Sequence, residues 1–186
     1  MIKTRPTRFF KRLQAEKEAE AVDESGDTGE VQEDAEEDAM PQDAWEYAPE
    51  IDVLSEINAI KYGEEKLSFP NAMASKKWKD RGAALDKLMD VLKIDKDTLI
   101  KLPKRDYISL VTDLKVVIKK DTNVLLISKA LRIVKALADG MRGLFSQYGA
   151  ILLPEIIARF KEKKAAVLEH ARTAADSIAL VTKVIV

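Results

Sequence analysis

The sequence predicts an all-α chain of paired antiparallel helices stacked in series behind an acidic tail, and three observations carry that prediction. Beyond residue 50, apolar residues recur at i, i+3, i+4 and i+7 almost throughout, and nothing alternates with period two over a useful length. Three short lysine-bearing breaks interrupt the pattern: Lys76-Lys77-Trp78-Lys79-Asp80, Lys119-Lys120-Asp121-Thr122-Asn123 and Lys161-Glu162-Lys163-Lys164. Lys120 lies 43 residues after Lys77, and Lys163 lies 43 after Lys120. That interval falls within the roughly 40–47-residue period of a helix-pair solenoid repeat. Stacked repeats align equivalent turns on one edge, so the three basic turns are expected to form one ridge suited to a large acidic partner.

The elements follow in order. Asp52-Val53-Leu54 reads as a short apolar anchor after Pro49, and Glu64 to Ser75 as a first helix that Ser68-Phe69-Pro70-Asn71 breaks. After Trp78, one helix face is Ala84, Leu85, Leu88, Val91 and Leu92. Pro103 suits the first turn of a helix whose face is Tyr107, Leu110, Val111, Leu114, Val117 and Ile118. Asp121 or Thr122 can cap the next helix, which buries Val124, Ile127, Ala130, Leu131, Val134, Leu137 and Ala138 and ends at Gly140. Phe145, Tyr148, Leu152, Ile156 and Phe160 line a further helix, kinked at Pro154 by its missing donor. The last face is Val167, Ala171, Ala174, Ala175 and Ile178.

Charge separates two segments. Met1 to Glu50 hold 6 Lys/Arg and 15 Asp/Glu, a net of −9, whereas Ile51 to Val186 hold 25 and 17, a net of +8. From Glu16 to Asp38 the chain has little apolar content and cannot offset the entropy of ordering. Residues 1–48 therefore read as a disordered, basic-then-acidic linker and residues 49–186 as the folded part. The opening Lys3-Thr4-Arg5-Pro6-Thr7-Arg8-Phe9-Phe10-Lys11-Arg12 reads either as a contact for an anionic surface or nucleic acid or as a plain basic linker end, and the linker end is the better reading. Asp23 to Gly29 resembles a calcium loop only faintly, since its glycines are misplaced, and solvated acid is the better reading.

Several function classes drop out. The chain has no cysteine, so disulfides and thiolate metal sites are excluded, and its one histidine, His170, falls on the polar side of a helix as a surface residue. With no second His and no glycine-rich phosphate loop, nothing supplies a poised base or nucleophile; no catalytic residue, metal site or cofactor is implied. No apolar run approaches the roughly 18 residues of a membrane span, and no secretory segment follows the start, so a cytosolic protein without a membrane partner is expected.

The residues of the turns carry a resemblance. Lys76-Lys77-Trp78-Lys79-Asp80-Arg81, with Ala84-Leu85 behind it, resembles the Lys-Lys-Trp-x-x-Arg-x-x-Ala-Leu signature of TOG domains. These are the tubulin-binding HEAT-repeat modules of the chTOG and minispindles microtubule polymerase family. Asp121-Thr122-Asn123-Val124 is similar to that family's second-repeat turn, and Phe160-Lys161-Glu162-Lys163-Lys164 to its third. Gly140-Met141-Arg142 with Phe145-Ser146-Gln147-Tyr148 is similar in particular to the second TOG domain of such arrays, and Pro6-Thr7-Arg8-Phe9 before an acidic stretch resembles the linker that precedes it.

That resemblance implies a TOG-type HEAT-repeat solenoid that grips αβ-tubulin and microtubule plus ends. It implies a place on microtubules, spindle and centrosome within the cytoplasm, and adaptor proteins at centrosome or kinetochore as further partners. The implied contacts are Lys76, Lys77, Trp78, Lys79, Arg81, Lys120, Asp121, Thr122, Asn123, Lys161, Lys163 and Lys164. Trp78 would be the anchor, the lysines would steer encounter, and Thr122 and Asn123 would supply shape. A complete TOG domain has about six repeats and about three are present here. The expectation is therefore a truncated, N-terminal part of the domain, with Ile178, Leu180, Val181, Val184, Ile185 and Val186 on an unshielded face. Lys66 to Ala72 is expected to be an insertion before the Trp turn.

Each feature has a plainer reading beside the functional one. Trp78 can instead be a wedge between helices, and any single lysine cluster a solvated loop. The alternative for the whole is a basic helical-repeat scaffold for nucleic acid or a helical peptide. The near absence of Arg from the turns, apart from the adjoining Arg81, argues against nucleic acid.

Overall fold

The computed structural model describes Trp45, residues 47–96 and residues 98–183. The chain divides into Met1–Ala39 and Met40–Val186, and every described residue lies in the second unit. The readings placed on the basic start, the acidic stretch and the calcium-like segment lie outside the described residues.

Among the described residues seven α-helices carry the fold: α1 Val53–Ala59, α2 Phe69–Met73, α3 Trp78–Val91, α4 Ile108–Lys120, α5 Val124–Met141, α6 Ser146–Ala158 and α7 Ala165–Lys183. Single 3-10 turns follow α3, α5 and α6 at Ile94–Lys96, Arg142–Phe145 and Arg159–Lys161. Among the described residues the extended backbone amounts to two isolated bridges, Glu50 with Lys101 and Tyr62 with Leu67. The helices form two layers, α2, α4 and α6 in one and α3, α5 and α7 in the other, with α1 against α3. The amphipathic faces predicted above meet between these layers, where Leu85, Leu88, Leu114, Ile118, Leu131, Val134, Leu152 and Ile156 are wholly buried. In the second layer α5 and α7 pack along their length, and α6 crosses α7 so closely that a Cβ on Gly149 would lie 2.8 Å from Cγ2 of Ile178.

The start of the domain differs from expectation. Asp52 does not merely anchor: its carboxylate accepts from the Ser55 N–H (3.3 Å) and hydroxyl (2.6 Å), capping the full helix α1. Residues 62–67 close a small turn over Gly63, which sits at φ +67. Ser68-Phe69-Pro70-Asn71 starts a helix rather than breaking one, because a first-turn proline lacks only an N–H that has no intrahelical partner anyway. Trp45, assigned above to the linker, packs its ring beneath the Lys101 ammonium (4.6 Å) and the Arg142 guanidinium (5.1 Å). Pro49 and Ile51 then exchange backbone bonds of 2.9 and 3.0 Å with Lys101, so the chain is tied to the domain ahead of residue 49.

Other local expectations are corrected. Pro103 lies in the α3–α4 connection, five residues before α4, where its carbonyl accepts the Tyr107 hydroxyl (3.1 Å). The cap of α5 is Asn123, whose side chain accepts from the Leu125 N–H (3.0 Å); Asp121 accepts from the Asn123 N–H (2.9 Å) instead. Gly140 lies inside α5, where its missing Cβ lets the Ile100 carbonyl approach: a Cβ there would meet that oxygen at 2.8 Å. Phe160 is not core but 41% exposed in the last 3-10 turn. Ile178 and Val181, expected on an open face, are buried, whereas Leu180 is exposed and residues 184–186 lie outside the described residues.

Candidate functional site

Antiparallel pairing brings the three α-to-α turns to one edge. Residues 74–77 join α2 to α3, Asp121 to Asn123 join α4 to α5, and Glu162 to Lys164 join the 3-10 extension of α6 to α7. The equal 43-residue interval does not mark structurally equivalent sites. Lys77 is the N-cap of α3, Lys120 the last residue of α4, and Lys163 the middle of its turn. The turns coincide in space because helix and turn lengths compensate.

In the first turn Trp78 is the first residue of α3 and 52% exposed, so it is not a wedge between helices. Its footing is rigid. The Ser75 hydroxyl donates to the nearly buried Asp80 carboxylate (2.7 Å) and accepts from the Lys77 N–H (3.1 Å), which fixes the chain entering the helix. Asp80 also lies in the first turn, where a negative charge complements the helix dipole. Lys77 reaches across to Glu65 (2.6 Å), and that hydrogen bond raises its ammonium pKa further. Sequence reading missed Glu65 because the residues between it and Lys77 form α2 and its turns rather than one continuous helix.

Two of the expected contact residues hold turns together. The Arg81 guanidinium donates to Oδ2 of Asp121 through Nε (2.9 Å) and Nη2 (2.8 Å), and to the Ser75 (2.7 Å) and Lys76 (3.2 Å) carbonyls through Nη1. Asp121 keeps only 5% of its side chain exposed, so this pair is a joint between the first and second turns. Arg159, absent from the expected set, makes the next joint. It donates to the Ile118 carbonyl (2.6 Å), to those of Lys119 and Asp121 (3.2 Å each) and to Glu162 (2.5 Å). A cation thereby satisfies the orphan carbonyls at the C-terminus of α4. Its signal in the sequence was an arginine at the end of an apolar helix, directly before the turn.

The remaining lysines project. Lys76, Lys79, Lys120, Lys161, Lys163 and Lys164 are exposed, and among the described residues none of their ammonium groups has a hydrogen-bonding or ion-pair partner. Thr122 is exposed and Asn123 is spent on capping α5. On the outer side of α5 and α7 a separate cavity of about 420 Å³ is lined by Leu92, Leu99, Arg132, Lys135, Asp139 and His170. Its charges are internally matched, Arg132 with Asp95 and Lys135 with Asp139, both at 2.6 Å. His170 is half-buried there rather than a surface residue: Nδ1 lies 2.6 Å from the Ser128 hydroxyl, and burial pushes its pKa down.

Comparison with known proteins decides the family. No family model matches the chain. The spindle pole body component alp14 of Schizosaccharomyces pombe is 31% identical over 172 residues, which is 92% of this chain and 20% of alp14. The protein mini spindles of Drosophila melanogaster is 32% identical over 93% of this chain and 8% of its own length. Among solved structures, one of tubulin recruitment and assembly by microtubule polymerases with TOG domain arrays matches at a TM-score of 0.61 and 34% identity. It covers 72% of this chain and 26% of that one. The chain belongs to the TOG domain family. A second solved chain, from a study of microtubule plus-end tracking by XMAP215, CLIP-170 and EB1, also superposes at 0.61 with 34% identity, over 75% of this chain and 52% of its own. This TOG chain thus spans a fifth or less of the curated relatives, and its described helices form a HEAT-repeat solenoid of three helix pairs. Among the described residues no helix is long and apolar enough to cross a membrane.

Proposed function

We propose that this TOG domain is a non-catalytic αβ-tubulin-binding module of a microtubule polymerase, acting at plus ends, spindle and centrosome. The observation that carries the reading is the juxtaposition of a half-exposed Trp78 with lysines from three turns on one edge that have no partner among the described residues. In this reading Trp78 is the desolvated anchor. Lys76, Lys79, Lys120, Lys161, Lys163 and Lys164 steer an acidic partner, and Arg81, Asp121 and Arg159 hold the turns in register. Rim pairs of this kind contribute only about 0–1 kcal/mol each, whereas truncating a buried interface Trp costs at least about 2 kcal/mol. Promotion of growth further requires that curved and straight tubulin bind with different affinity, since equal binding shifts nothing. The domain begins near residue 45, and the acidic residues before it serve as a linker.

The test is co-elution with free tubulin set against an electrophoretic shift with DNA or RNA. Tubulin co-elution that is lost in Trp78→Glu, with helix content and melting unchanged, supports the proposal. A nucleic-acid shift without tubulin binding overturns it in favour of a basic scaffold.

A further inference from the structure

Between the first and second turns lies a groove of about 320 Å³ lined by Met73, Ala74, Lys76, Val116, Val117, Lys120 and Thr122, with Arg81 and Asp121 at its end. Its floor is apolar. Met73 and Val117 are buried, while Val116, one turn before the end of α4, is 44% exposed into it. Its rim is cationic. The ammonium groups of Lys76 and Lys120 and the hydroxyl of Thr122 have no partner among the described residues, while Asp121, the one acid present, is already neutralised by Arg81. An apolar floor beneath unpaired donors is matched by an apolar side chain with a carboxylate beside it. The volume admits one or two side chains, not a helix about 10–12 Å across.

We propose that this groove seats an apolar side chain flanked by an acidic residue on a loop of αβ-tubulin, giving the basic ridge a second desolvated contact besides Trp78. The inference rests on the tubulin reading above. It adds a specificity element: an acidic surface lacking an apolar residue at that place would meet the lysines but leave the floor wet. The Arg81–Asp121 pair, which joins the two turns, also lines the groove.

The experiment is tubulin binding by two groove-filling variants of the full chain, Val116→Trp and Thr122→Trp, measured by titration at low and at high salt. Both positions are exposed, so folding is checked simply by the melting curve; where one variant melts early, the other decides. Each is expected to weaken binding about tenfold or more, by the same factor at both ionic strengths, because displacing an apolar contact is not screened. Wild-type affinity in a folded variant, or a loss that disappears at high salt, overturns the inference. A wild-type chain that does not bind tubulin instead fails the function proposed above, so the two failures are distinct.

Discussion

Replacing Arg81 with Ala separates a contact residue from a joint. The side chain makes four bonds, two to one Asp121 oxygen at 2.8 and 2.9 Å and two to the carbonyls of the preceding turn at 2.7 and 3.2 Å. Its loss leaves Asp121 charged with 5% of its side chain in water and only the Asn123 N–H as a donor to it. Breaking a buried pair by removing one partner costs about 3–5 kcal/mol, and because Arg81 itself is 18% exposed the low end applies, about 3 kcal/mol. At about 2–4 °C per kcal/mol for a domain of this size, melting should fall by about 6–12 °C. Urea unfolding with an unchanged m-value is the assay. The double variant with Asp121→Ala should lose less than the two single losses added, since the stranded charge is gone. A stability loss below about 1 kcal/mol together with impaired tubulin binding would refute the joint and return Arg81 to the contact set.

Three further outcomes are expected. Lys120→Ala combined with Lys163→Ala should slow tubulin association more than it speeds dissociation, with the defect shrinking at high salt where the Debye length is roughly 3 Å; stopped-flow rates at two ionic strengths check this. Asp113 in α4 is half-buried with Oδ2 unbonded among the described residues, and burial pushes its pKa up from 3.8. The folded state therefore holds that proton more tightly than the unfolded chain, so stability falls as pH rises from 3.8 through the raised value. Asp113→Asn should accordingly raise the melting temperature at pH 7, with the gain fading in acid. Gly149→Val should destabilise by about 1–3 kcal/mol, because even its Cβ would stand 2.8 Å from Ile178, and calorimetry would show it.

Hydrophobic periodicity made the fold legible from α3 onward, since faces such as Leu110, Val111, Leu114, Val117 and Ile118 are buried as a stripe. What it did not reveal was decided by single side chains in competition. Pro103 and Pro70 each suit a helical first turn, but only Pro70 lies in one, because Tyr107 is held by Tyr148 (3.0 Å) and α4 starts after it. Asp121, Thr122 and Asn123 are all good caps, and Arg81 decides among them by engaging Asp121. The exposed Trp78 and the three lysine-bearing turns were readable because each turn is a short local run that breaks the helical pattern. The joints were not, since Arg81 with Asp121 and Arg159 with Ile118 join residues about forty apart, and no periodicity encodes such a pairing.

The division of the cations between these tasks follows from their chemistry. A joint must satisfy several acceptors at once while partly dry, and both joints use arginine, whose planar fork donates along fixed directions and keeps its charge on burial. The projecting positions carry lysine, a compact and strongly hydrated charge that attracts an acidic partner at range and is shed from water at little gain. Had the roles been reversed, lysine at 81 could not span the Asp121 carboxylate and two carbonyls together, and the second turn would be free to shift against the first. Ridge geometry would then be fixed only on binding, at about 0.5–1.5 kcal/mol for each side chain ordered there. The two arginine joints make that cost part of folding, so that on the proposed reading Trp78 and the groove between the first two turns meet the partner already aligned.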